Sequence, residues 1–286
     1  MIIARSAPEL RAAISGPVSF VPTMGALHAG HASLIRLAAA DGSCVVVSDF
    51  VNPSQFGEGE DFESYPRDLE GDAAIAEQAG AQILYAPDVG EIYPPDFSTT
   101  IDPGPLAQEL CGAHRPGHFA GVATVVVRLF GLVRPQRAIF GRKDYQQLAI
   151  LQHVTKDLAL GIEIVGAPTI RDADGLAHSS RNVYLSAAER VQAAALPVSL
   201  QQVAAAYANG ERDAAILGAV GRNSLDGVEL EYLELRSAEL APYDPEHLAV
   251  LLVAGHVGTT RLIDNIVLDP TAPKHAVAQL STKEYA

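Results

Sequence analysis

Over the first 168 positions, apolar residues follow two spacings in turn. Short continuous runs at 18–21, 44–51, 82–86, 137–140 and 163–165 have the length and composition of buried strands. Between them the apolar positions recur at helical spacing. Leu34, Ile35 and Ala38 follow His31, a second helix is expected over 69–79, and a third over 121–132. In a fourth, over 144–158, Leu148, Leu151, Val154 and Leu158 form one stripe. This rhythm predicts an α/β fold, a Rossmann-like doubly wound parallel sheet with helices on both faces. Between its halves, the prolines of Tyr93-Pro94-Pro95-Asp96 and Pro103-Gly104-Pro105 exclude regular helix and predict an excursion from the sheet.

The texture changes at Thr169. A polar loop leads to an alanine-rich helix over 187–209, a second helical stretch near 213–222, and strand patterns at 229–235, 248–253 and 260–267. The expectation is a smaller α+β C-terminal domain. The boundary falls near Pro168, giving domains 1–168 and 169–286, and the last dozen residues are expected to be weakly tethered.

Composition narrows the class. With 286 residues the chain is long for one compact unit and comfortable for two, and a 48% hydrophobic content supports a sizeable core. Thirty-four acidic against 20 basic side chains give a formal net charge of −14, which repels a nucleic-acid backbone, and there is no Lys/Arg-rich run. Apolar runs all fall short of the roughly 18 residues of a membrane span, and the opening segment lacks a secretory layout, so a soluble cytoplasmic protein is expected. Cys44 and Cys111 are the two cysteines, too few for a disulfide framework or a cysteine-based zinc site.

Three segments carry candidate chemistry. Pro22-Thr23-Met24-Gly25-Ala26-Leu27-His28-Ala29-Gly30-His31 joins the first strand to a helix. Unpaired N–H groups and the helix dipole there favour a polyphosphate, while Gly25 and Gly30 let backbone approach it. The two imidazoles add donors that need carry no charge. Phe140-Gly141-Arg142-Lys143-Asp144-Tyr145-Gln146-Gln147 repeats the strand, glycine and helix order. Ligands of open parallel sheets bind beyond the carboxyl ends of strands, so both turns are expected at one crevice, with Lys143 facing the same polyphosphate. The third segment, Arg171-Asp172-Ala173-Asp174-Gly175-Leu176-Ala177-His178-Ser179-Ser180-Arg181-Asn182, is a polar loop able to close over phosphate.

Taken singly, each feature has a plainer reading. The His pair is a surface accident or half of a metal site, Lys143 a solvated helix-start lysine, and Ser179-Ser180 an ordinary turn. Gln55 and Gln147 look like surface polar residues. Arg115 and His118 either stabilise their Gly/Pro-rich loop or reach substrate. Asp72 complements a helix start.

Together the three segments resemble the pantothenate synthetase family, within the superfamily of nucleotidyl-transferring enzymes that carry a His-x-Gly-His turn. Phe50-Val51-Asn52-Pro53-Ser54-Gln55-Phe56, Tyr65-Pro66-Arg67, His118-Phe119-Ala120-Gly121-Val122 and Tyr232-Leu233-Glu234-Leu235-Arg236 extend the likeness over nearly the whole chain. The resemblance implies ATP-dependent condensation of pantoate with β-alanine through a pantoyl adenylate, with release of AMP and pyrophosphate, by a homodimer. It implies that His28 and His31 support the α-phosphate, His31 as proton donor, and that Lys143, Ser179, Ser180 and Arg181 hold the pyrophosphate. ATP is expected along Met24, Gly25, Ala26, Leu27, His28, Ala29, Gly30 and His31, then Gly141, Arg142, Lys143 and Asp144, and finally Ile170 and His178. Gln55 and Gln147 are expected to bind pantoate, Arg115 and His118 to lie near β-alanine or the adenylate carbonyl, and residues 55–71 to form a lid.

Magnesium accompanies ATP, with Asp72 as its expected protein ligand. Three positions depart from the family pattern: Gly71 where a second acid precedes that aspartate, Arg142 in place of Glu, and His178 in place of Met. A catalytically silent nucleotide- or partner-binding protein is the rival reading. Cytidylyltransferase or aminoacyl-tRNA-synthetase-like activity also shares the His turn, but the acidic chain lacks an evident RNA-binding extension.

Overall fold

The computed structural model describes residues 1–271. Contacts within the chain divide it into two compact units that meet at Pro168 and Thr169. The expected weakly tethered tail lies largely outside the described residues.

The first unit is built on a six-stranded sheet. Its strands are β1 (Ile2–Ala4), β2 (Val18–Thr23), β3 (Cys44–Asp49), β4 (Ile83–Tyr85), β5 (Arg137–Gly141) and β6 (Glu163–Ala167). They lie in the order β1-β4-β3-β2-β5-β6, and every neighbouring pair is parallel. Because strand side chains alternate between faces, Phe20 and Val46 enter one core and Val21, Val45 and Val47 the other. Helices Ala7–Ala13, His118–Val133 and Tyr145–Asp157 contribute Leu10, Val122, Val126, Phe130, Leu148 and Leu151 to the first core. Helices Ala29–Ala39 and Leu69–Ala79 contribute Leu34, Ile35, Ala38 and Ala76 to the second. The doubly wound sheet expected from the pattern is therefore present.

The strand order reverses between β2 and β5, which pair at Ser19 with Arg137 and at Phe20 with Ala138. In a doubly wound sheet such a switch point opens a crevice at the carboxyl ends of the strands. The turns after β2 and β5 are the two glycine turns of the sequence.

In the second unit an antiparallel sheet of β7 (Glu229–Ser237), β8 (Ala249–Val257) and β9 (Thr260–Leu268) runs in the order β7-β8-β9. Leu251, Val253, Leu262 and Ile266 bury one face against Leu196, Leu200, Val203 and Leu217 of helices Ala195–Ala208 and Ala214–Arg222. The single helix expected over 187–209 is two, Ala187–Ala193 and Ala195–Ala208. Pro197 has no N–H to give the carbonyl four residues back, so the ladder breaks at this point. β1 and the helix Ala7–Ala13 lay outside the pattern reading because three residues are too few to show a period.

Candidate active site

The turn after β2 is shaped from below by two acids. Gly25 has φ +77° and Ala26 φ +50°, so two successive residues occupy the left-handed region, which only glycine enters without strain. The turn is held by Asp72, from the first turn of helix Leu69–Ala79. Its Oδ2 accepts from Ala26 N at 2.8 Å and its Oδ1 from Leu27 N at 2.6 Å. A Cβ on Gly25 would lie 3.0 Å from Asp72 Oδ2 and far inside contact distance of Asp49 Oδ1, so only glycine fits. Asp49 ends β3 beside Asp72. Burial and the Asp72 charge push its pKa up to about 6, and burial also raises that of Asp72. Below this value Asp49 is a carboxylic acid hydrogen-bonded to the Asp72 carboxylate.

Asp72, the expected magnesium ligand, uses both of its oxygens to anchor the turn. Among the described residues no group of three or more His, Cys, Asp or Glu side chains has an arrangement able to hold a metal ion. Gly71 fits the same picture, because a side chain there would collide with the Asp68 carboxylate that caps the helix by accepting from Gly71 N.

His28 is the N-cap of helix Ala29–Ala39. Its Nδ1 accepts from Gly30 N at 3.1 Å, and His31 Nδ1 accepts from His28 N at 3.3 Å. Two backbone donors therefore fix both rings as Nε2–H tautomers, with ring centroids 4.1 Å apart. His31 is half-buried. Loss of solvent, the neighbouring His28 and the Lys143 ammonium lower its pKa to about 3. At neutral pH His31 is consequently a neutral hydrogen-bond donor through Nε2.

The helix that follows the first turn packs against β5, and the Lys143 charge contributes to the lowered pKa of His31. Gly141 has an ordinary extended backbone, and a Cβ there would meet nothing nearer than Lys143 N at 4.0 Å. Lys143 lies 3.6 Å from Asp144, and Arg142 is exposed.

Beyond β3, Asn52 caps the short turn Pro53–Gln55. Gln55, which resembles a surface residue in sequence, is buried here. Helix His118–Val133 is pressed against it. A Cβ on Gly121 would lie 2.6 Å from Ser54 C and 2.8 Å from Gln55 Cα, so this helix needs glycine to approach the turn. Arg115 and His118, expected near substrate, both have protein partners. Arg115 forms a two-pronged ion pair with Glu60 and contacts His118 Nε2 at 2.9 Å, while His118 Nδ1 lies 2.8 Å from Gln55 O. The Arg115 hydrogen bond, despite the opposing effect of burial, brings the Glu60 carboxyl down to about 2, and burial with the Arg115 charge lowers His118 to about 4. Within the expected lid Gln55 itself is buried, and the aromatic side chains that follow it pack on one another. Phe56 stacks edge-on to Phe62 and Tyr65, and Arg67 donates to the carbonyls of Phe62, Glu63 and Tyr65.

Of the paired glutamines, Gln147 is half-buried and Gln146 is buried in a structural role. Gln146 donates to Leu106 O and Glu109 O and accepts from Cys111 N, tying down the proline-rich excursion. Reading the sequence also missed Asp49 and left Asn52 without a task. An acid closing an otherwise apolar strand, and an Asn before Pro at a strand exit, were the available signals.

The third segment belongs to the second unit. Residues 170–178 form a small hairpin in which His178 N donates to Ile170 O and Asp172 N to Leu176 O, turning at Gly175 with φ +86°. Arg171 anchors it through a buried two-pronged pair with Asp264. Asp172 pairs with His178 at 3.2 Å and with Arg190 at 2.6 Å. Ser179 Oγ accepts from Arg181 N, starting the turn Ser180–Tyr184, in which Ser180 and Arg181 are half-buried.

A glycine-dependent turn at the switch point of a parallel sheet, bearing two neutral imidazoles opposite a lysine, defines a nucleotide-binding α/β enzyme of the His-x-Gly-His type. More particularly, residues 3–267 match the Pantoate-beta-alanine ligase family, and the chain belongs to it. It is 50% identical to the pantothenate synthetase of Thiobacillus denitrificans, over 95% of this chain and 99% of that one. It is 52% identical to that of Rhodospirillum rubrum, over 92% and 98%. A solved Thermus thermophilus pantothenate synthetase superposes with TM-score 0.90 at 46% identity, covering 93% of this chain and 99% of that one. The Francisella tularensis pantoate-beta-alanine ligase, solved with Beta-gamma ATP and Beta-alanine, does so with TM-score 0.77 at 32% identity, covering 93% and 97%.

Proposed function

We propose that the ATP-dependent condensation of (R)-pantoate with β-alanine, the reaction of this family, runs at the carboxyl ends of β2, β3 and β5. The observation that supports this placement is the assembly within one unit of a neutral imidazole pair, Lys143 and the buried Gln55 amide. Pantoate is already ionised at neutral pH. Its attack on the α-phosphorus of ATP needs alignment and charge neutralisation rather than a base.

His28 and His31 donate from Nε2 to the α-phosphate oxygens as charge develops there, without an ion pair that would hold the ground state equally well. Lys143 neutralises the departing pyrophosphate. Met24 and the backbone of Gly141 and Asp144 line the adenosine. Gln55 and Gln147 bind pantoate through neutral amides, leaving its carboxylate nucleophilic. In the second half-reaction the β-alanine amine attacks the acyl carbonyl of pantoyl adenylate and AMP leaves. The amine must be neutral, and its solution pKa is about 10, near that of lysine.

Magnesium would enter with ATP, where phosphate oxygens, water and Asp72 would supply its ligands. The same reading includes a homodimer and a cytoplasmic location, where ATP is supplied. The deciding measurement is pyrophosphate release from ATP, Mg²⁺ and pantoate, before and after addition of β-alanine. A burst with pantoate alone followed by turnover on addition of β-alanine is expected, and no pyrophosphate under either condition refutes the proposal.

A further inference from the structure

Gln55 can serve pantoate in two opposite ways, as donor through Nε2 or as acceptor through Oε1, and the neighbouring hydrogen bonds choose between them. The choice begins at Tyr93, which lies in the proline-rich excursion some forty positions away. Its hydroxyl donates to Asn52 Oδ1 at 2.8 Å. Ser54 Oγ and Ser54 N donate to the same oxygen at 2.9 and 3.3 Å, and the Ser54 and Tyr93 hydroxyls lie 3.1 Å apart, so Tyr93 bears on Asn52 both directly and through Ser54.

The Ser54 amide can only donate to this atom and Gly121 O can only accept from the other end, so this atom is the carbonyl oxygen and the other end of the Asn52 amide is the NH₂ group. Asn52 is buried, 1% exposed, and cannot turn to water for an alternative. Its Nδ2 donates to Gln55 Oε1 at 2.9 Å and to Gly121 O at 3.3 Å. Gln55 Oε1 is then the acceptor, and the atom left facing away is Nε2. That group lies 3.1 Å from Met24 Sδ, a thioether that accepts only weakly. A buried amide donor is thereby held beside the His-x-Gly-His turn with little to satisfy it, which is costly until an oxygen arrives.

We propose that Tyr93 is a positioning residue for pantoate. Its hydroxyl sets the orientation of two successive amides, so that Gln55 offers its NH₂ group to a carboxylate or hydroxyl oxygen of the acid substrate. The inference rests on the reading that Gln55 binds pantoate. It adds that the contact is donor to acceptor and that its polarity is imposed from Tyr93. The aromatic ring itself packs with Phe50 and Phe97, so Tyr93→Phe removes the hydroxyl and keeps the packing.

The experiment is steady-state pyrophosphate release by the full chain, with KM and kcat measured separately for pantoate and ATP in Tyr93→Phe, Gln55→Ala and the double variant, and thermal melts run alongside. Tyr93→Phe is expected to raise the pantoate KM about fivefold, the effect of one lost hydrogen bond, and to leave kcat and the ATP KM within about twofold. In the Gln55→Ala background the same change should have no further effect, because the amide it orients is gone. Gln55→Glu, which keeps an acceptor for Asn52 but presents oxygen instead of NH₂, should impair pantoate use more than Gln55→Ala.

A normal pantoate KM in Gln55→Ala sinks the underlying reading. A raised KM there with an unchanged one in Tyr93→Phe overturns the role of Tyr93 alone. Equal losses for pantoate and ATP in Tyr93→Phe, or Gln55→Glu binding pantoate as well as wild type, also overturn it.

Discussion

The two glycine turns at the switch point look alike in sequence and are built differently. The turn after β2 is enclosed. Its backbone is bent through two left-handed residues, clamped by Asp72 and filled from below by Asp49, and its histidines are fixed by backbone donors. The turn after β5 is open, with an extended glycine, space where a Cβ would stand and an exposed arginine. In the first, the proposed role rests on a shape that many residues maintain. In the second it rests on where one ammonium group lies.

Glycine substitution separates the two most sharply. Gly25→Ala forces a side chain into Asp49 at a positive φ, and we expect about 2–4 kcal/mol loss of stability together with near-complete loss of adenylate formation. Denaturant unfolding and single-turnover assays measure both. Retention of either would show the turn to be softer than its geometry implies. Removing a donor without touching the backbone is the next largest effect. His31→Ala and Lys143→Ala should each slow adenylate formation at least about a hundredfold, some 3 kcal/mol of transition-state stabilisation, with melting behaviour near that of wild type.

The acid pair provides a third probe. Because the folded pKa of Asp49 is raised to about 6, well above its ordinary value, its contribution to stability is fully present below the unfolded pKa and is lost as pH rises through about 6. The depressed pKa values of His31 and His118 act oppositely, withdrawing stability as pH falls below their ordinary value. Comparing wild type with Asp49→Asn isolates the first effect. The variant should gain about 1–2 kcal/mol relative to wild type between pH 5 and pH 8, after allowance for partial exposure. A constant difference across that range would show that the pair does not share a proton. The smallest effect belongs to the open turn, where Gly141→Ala should alter stability by no more than about 0.5 kcal/mol. A larger loss would erase the contrast.

Much of this architecture was written in local pattern. Leu34, Ile35 and Ala38 at helical spacing, and the alternation of Phe20 with Val21, identify elements and faces through neighbours a few residues apart. So does the placing of both glycine turns at strand exits. Other features were hidden because their partners are remote in the chain. Nothing near Asp72 in sequence indicates that it grips Ala26 and Leu27, 46 and 45 positions away, and nothing near Gln55 reveals that it is buried. Arg115, which reads equally as a substrate ligand or a loop support, is engaged by Glu60 and His118.

Sequence by itself determined the order of strands and helices, the two turns and the family, because periodicity, glycine position and motif spacing are properties of contiguous chain. Tertiary structure alone decided the lowered pKa of His31, the adjacency of Asp49 and Asp72, and which end of the Gln55 amide is turned toward Met24. Proton placement and hydrogen-bond direction depend on solvent exclusion and on groups that meet only when the sheet brings separate strand ends together.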